Sequence, residues 1–192
     1  MKSMLSFVFL FASFYSFSQE KLPYNEIPEA PTQYNAGTVV SRMIDGLGFR
    51  YYWATEGLRS EDLAFKPNDE ARTSRETLEH ILGLTNVILN SALKNANEGG
   101  IDYKAMSFEQ LREKTLLNLK EASSIFKTVT DLSEYTIIFK RGEQSSEYPF
   151  WNQLNGPIAD ALWHTGQVVS FRRSSGNPFN SKVSVFSGKV RQ

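Results

Sequence analysis

The sequence predicts an all-α domain, a four-helix bundle with a short irregular or strand-like segment between its third and fourth helices. Three observations point there. Four stretches carry apolar residues every three or four positions, two of them open on capping boxes, and glycine- or proline-containing stops punctuate the chain between them. A chain of 192 residues with no internal repeat suits a single domain of this kind.

In the first segment Val40, Ile44, Leu47, Tyr51, Ala54 and Leu58 alternate in steps of four and three, which keeps one stripe facing a core. Gly57, Ser60 and Pro67 mark where it runs down. The second opens on Thr73-x-x-Glu76, where each side chain can satisfy the other residue's free amide. Leu78, Ile81, Leu82, Ile88, Leu89 and Ala92 form its apolar arc, and Asn97-Glu98-Gly99-Gly100 stops it. Ser107-x-x-Gln110 opens the third, with Leu111, Leu117, Ile125 and Phe126 as its apolar face and Leu132 near its end. Residues 135–150 break the helical period and read as a short strand, a hairpin or an ordered loop. The fourth helix runs from about Asn155 or Pro157 to Arg173, before the stop Gly176-Asn177-Pro178; a start near Trp151 would require a kink at Pro157.

Residues 1–18 read as a secretory signal peptide: Lys2, an uncharged apolar run, then Ser16 and Ser18 before an abrupt polar turn. Residues 19–37, carrying Pro23, Pro28 and Pro31, read as an extended N-terminal arm; residues 38–178 form the bundle and residues 179–192 a tail that packs back on it. The expected location is periplasmic or secreted, with no stable membrane anchor after cleavage. Lys plus Arg (21) equals Asp plus Glu (21), so no net field favours nucleic acid. The absence of cysteine excludes disulfides, zinc–cysteine sites, iron–sulfur clusters and a cysteine nucleophile. No nucleophile elbow, phosphate-binding loop or dinucleotide fingerprint is present.

Any histidine chemistry must use His80 or His164, the only two in the chain. On the fourth helix Asp160, His164, Gln167 and Phe171 follow in steps of four, three and four and so share a face. One ion at about 2.0–2.2 Å from each donor can bridge Asp160 and His164. His80 lies beside Leu84 and Val87 at the edge of its apolar arc and can supply a third ligand from the neighbouring helix. Two imidazoles and a carboxylate suit a divalent metal ion, with zinc or nickel placed first and manganese or iron as alternatives. Gln167 can orient a ligand or bound water; Trp163, Trp53 and Tyr52 are candidate walls. The plainer alternative is a hydrogen-bonded structural histidine on each helix and a local Asp–His pair. Arg172 and Arg173 suit the negative end of their own helix.

At Thr77-Leu78-Glu79-His80-Ile81-Leu82-Gly83 and Asp160-Ala161-Leu162-Trp163-His164-Thr165-Gly166-Gln167 the chain resembles the DinB/YfiT-like superfamily, over residues 39–178. Phe171-Arg172-Arg173-Ser174-Ser175-Gly176-Asn177-Pro178 looks like a secreted Bacteroidetes-type subgroup. The resemblance implies a bundle of DinB type and a divalent-metal triad matching His80 and His164. The family most often has a further histidine where this chain has Asp160. Characterised relatives include thiol-dependent S-transferases and isomerases, and others are described as metal-dependent hydrolases; members often dimerise, which extends the expectation to a homodimer.

Two functions are therefore expected. One is a metal-dependent enzyme, a hydrolase or thiol-dependent S-transferase acting on an unidentified small molecule. The other is a non-catalytic periplasmic module that binds a ligand or protein through an aromatic groove beside a decayed metal site.

Overall fold

The computed structural model describes residues 21–192; the signal-peptide reading lies outside them. Four long helices carry the fold: α1 (Ala36–Thr55), α3 (Ser74–Ala92), α4 (Phe108–Phe126) and α6 (Ala159–Ser174). Helices α1 and α3 each pack against both α4 and α6, so the four close a ring around one core. Shorter elements join them. They are α2 (Ser60–Ala64), a 3₁₀ turn (Tyr103–Ala105), α5 (Trp151–Gln153) and five strands: β1 (Ala96–Asn97), β2 (Ile137–Arg141), β3 (Gln144–Tyr148), β4 (Val183–Ser184) and β5 (Lys189–Val190).

The expectation of an all-α domain is thus corrected: the protein is mostly helical but contains sheet. The segment between the third and fourth long helices is a β2–β3 antiparallel hairpin, with Ile137 opposite Tyr148 and Arg141 opposite Gln144. Strand β1 adds to it in parallel, Ala96 opposite Ile138. That pairing joins residues 42 apart in the chain, which no local period reveals.

The core is built from the expected stripes. Ile44, Leu47 and Tyr51 of α1, Leu78, Ile81, Leu82 and Ile88 of α3, and Leu111 and Phe126 of α4 are fully buried. Burying such side chains contributes about 1.5–3 kcal/mol each. Both expected capping boxes form, and Asn35 with Thr38 makes another at the start of α1.

Several boundaries differ. Leu117 is exposed, and Leu116 and Leu119 take its place on the buried face of α4. Helix α1 ends at Thr55, ahead of Leu58. Helix α3 ends before Asn97: Lys94 turns left-handed (φ 57°), and the Asn95 N–H reaches back to the Asn90 carbonyl. A lysine at that position gives no warning, because glycine is the usual signal. The fourth helix begins at Trp151. Pro157 has no N–H to offer and its ring would crowd the Gln153 carbonyl, and the chain accommodates it by widening into a π turn over Leu154–Ile158.

The N-terminal arm is docked rather than extended and free. The Tyr24 hydroxyl donates to Asp45 (3.0 Å), the Trp53 indole to the Asn25 carbonyl and Arg42 to the Pro28 carbonyl. The Tyr24 ring lies over Gly48, where a Cβ would come within 2.5 Å of Cδ2. The tail forms the β4–β5 hairpin and packs on the arm, with the Ile27 N–H donating to the Gly188 carbonyl.

Arg172 is buried and serves a different helix end from the expected one. Its Nη1 donates to the carbonyls of Trp53, Ala54 and Glu56 at the C-terminus of α1, at 2.9–3.1 Å. Arg173 instead lies over the Phe179 ring. Asn177 accepts from Arg172 and donates to Asp62, which is buried and also accepts from Ser175 and Arg59. The Arg59 guanidinium first, then the Ser175 and Asn177 donors, hold the Asp62 carboxyl far below the usual carboxylate range. The native state therefore binds fewer protons than the unfolded chain, and this stabilisation is complete above about pH 4 and fades as pH falls. Asp62→Ala should cost about 2–4 kcal/mol at neutral pH in urea melts. The gap to the parent should narrow below pH 4, and a constant gap would contradict this role.

Candidate metal centre

On α6 the core stripe is Ala161, Thr165, Val168 and Arg172. The stripe one residue behind it carries Asp160, His164 and Gln167, and half-burial follows from that offset. Helix α3 packs against α6 along this edge and brings up His80, 80 residues away in sequence. The expected three residues meet: one ligand atom from each of His80, Asp160 and His164 lies within 4.8 Å of the other two. This is the group among the described residues that can hold a metal ion.

The geometry suits a single ion. His80 Nε2 lies 3.1 Å from Asp160 Oδ2, and His164 Nε2 lies 3.3 Å from Asp160 Oδ1. Ligands cis to one another on an ion with bonds of about 2.1 Å sit roughly 3.0–3.4 Å apart. The two imidazoles meet edge to face, their centroids 4.7 Å apart, so their nitrogens converge without stacking.

Gln167 lies against His164. His164 Nδ1 and Gln167 Oε1 are 2.7 Å apart. A Gln167 oxygen accepting from Nδ1–H corresponds to the tautomer in which Nε2 is free to ligate. The donor set therefore fits a divalent metal, though the geometry does not choose among zinc, nickel, manganese and iron.

Beside the triad lies a groove of about 500 Å³. His80 and Asp160 form part of its wall, together with Gly83, Leu84 and Val87 of α3, Phe139 of β2, Asn155, Gly156 and Pro157 of the π turn, and Ala159 and Trp163 of α6. Trp163 lines the groove and is 76% exposed. Trp53 does not: its indole is committed to the arm. Tyr52 lies under the Arg112 guanidinium and lines a separate cavity with Phe108 and Lys21. Phe139 and residues 155–157 were not expected at the site: the sequence allowed a hairpin and a kink at Pro157, but their approach to α3 is set by tertiary packing.

The polar line of α3 is occupied elsewhere. Asn86 bonds Asn118 of α4 and the Tyr103 hydroxyl, Asn90 bonds Asn97, and Glu79 pairs with Arg75.

No family model, curated protein or solved structure matches the chain. What fold and site define together is a mostly helical protein with a His–Asp–His cluster compatible with a metal ion.

If Gln167 fixes the His164 ring, Gln167→Leu should weaken zinc affinity about 10–100-fold with no loss of helicity. Calorimetric titration reads this directly, and an unchanged affinity would contradict the orienting role.

Proposed function

We propose that this is an exported, DinB-like protein that binds one divalent ion through His80, Asp160 and His164 and acts on a small molecule. The carrying observation is the convergence of the three ligand atoms within 4.8 Å at the wall of a groove. The resemblance in the His80 and His164 motifs and the ring of four long helices support the same reading. When bound, the ion supplies Lewis acidity, which lowers the pKa of a ligating water or thiol towards neutrality.

The chain's own residues do the rest. Asp160 offers one oxygen towards each imidazole and is the sole anionic donor of the set. Gln167 contacts His164 Nδ1 and, accepting from it, would favour the tautomer that can ligate. Three protein ligands leave open positions for substrate or water. Hydrolysis and thiol-dependent transfer both fit such a centre; for transfer the thiol must arrive as a cosubstrate, because the chain has no cysteine.

Binding to the folded state alone adds about 2.7 kcal/mol at a hundredfold excess over Kd. For a domain of this size that raises Tm by roughly 5–10 °C. The parent protein should show this rise with zinc or nickel, and His80→Ala, at a half-exposed position, should fold without showing it. Melting curves that ignore zinc, nickel, manganese and ferrous iron alike would reject the metal centre and favour a non-catalytic binding module.

A further inference from the structure

The groove beside the triad has a chemical character of its own. Apart from His80 and Asp160 its lining is almost wholly apolar: Leu84 and Val87 on one side, Phe139 and Trp163 on another, with Pro157 between elements and Asn155 as a neutral polar group. Asp160 is the one residue of fixed charge in that lining. Trp163 and Phe139 are 76% and 40% exposed, an aromatic rim left open to solvent.

Charge complementarity then limits the ligand. A divalent ion held by two neutral imidazoles and one carboxylate keeps one uncompensated positive charge. No lysine or arginine lines the groove to bind a second anionic group, and no further carboxylate awaits a cation. A volume of about 500 Å³ is that of an ordinary small-molecule site.

We infer that the groove takes a small monoanionic molecule with a single donor head and an apolar, preferably aromatic, body. The head lies at the triad, and the body lies against Leu84, Val87, Phe139 and Trp163. Dianionic phosphates and sugars are poor fits, the first for want of a second cation and the second for want of polar partners. This inference rests on the metal-centre reading and narrows it to a substrate class.

The test uses zinc-loaded protein, residues 19–192, in a calorimeter. Zinc is titrated first, then 4-phenylbutyrohydroxamate and acetohydroxamate, which share a head and differ in the body. The aryl probe should bind at least about tenfold more tightly, since only it buries a ring. Val87→Glu, at a half-buried wall position outside the triad, should hold zinc within about threefold of the parent and lose the aryl preference. Where zinc does not bind, nickel, manganese and ferrous iron are titrated in turn, and absence of binding by all four overturns the metal reading and this inference with it. Zinc binding with equal affinity for the two hydroxamates overturns this inference alone and leaves the rim to a protein partner or a second copy. An aryl preference that survives in Val87→Glu also overturns it, by placing the body elsewhere.

Discussion

Asp160 stands between two imidazoles, one oxygen towards each, and everything distinctive about this protein depends on the packing that keeps it there. A carboxylate flanked by two nitrogens is stable only if protons or a cation occupy the gaps. Gln167 engages His164 at Nδ1, on the far side of the ring from Asp160. The arrangement is compatible with a cation, and its precision is that of the α3–α6 packing.

That packing is secured at both ends of α6. At the C-terminal end Arg172 ties the helix to the last carbonyls of α1, and Asn177 and Ser175 extend the tie to Asp62 on α2. The run from Phe171 to Pro178 is thus a structural clamp. At the N-terminal end the Pro157 π turn comes immediately before the stripe that holds Asp160, and its Asn155, Gly156 and Pro157 line the groove. Wide turns of this kind cost helical hydrogen bonding and often occur at functional sites. Here the turn reconciles a proline with a continuous helix and delivers part of the groove wall.

The triad was legible in the sequence because its logic is local. Residues four apart on a helix must share a face, so Asp160 and His164 are neighbours wherever the helix goes, and Gln167 follows one turn on. His80 was legible only as the edge of an apolar arc, and its meeting with α6 depended on which helices pack together. Contacts without local signature were missed. Strand β1 pairs with residues 42 positions on, Arg172 reaches carbonyls more than 110 residues earlier, and Phe139 enters the groove from a hairpin. Leu117 was misplaced because a run of adjacent leucines satisfies more than one helical phase; packing against α1 and α3 selects Leu116 and Leu119. The proline-rich arm read as extended because its fixing contacts, Tyr24 to Asp45 and Asn25 to Trp53, are long-range hydrogen bonds.

X-ray absorption at the zinc edge of the loaded protein tests the central claim most directly. An ion on His80, Asp160 and His164 gives a first shell of nitrogen and oxygen at about 2.0–2.1 Å with the multiple scattering of two imidazoles, reduced to one in His80→Ala. A shell of oxygens alone, or a two-imidazole signature that persists in His80→Ala, would place the metal elsewhere and contradict the site.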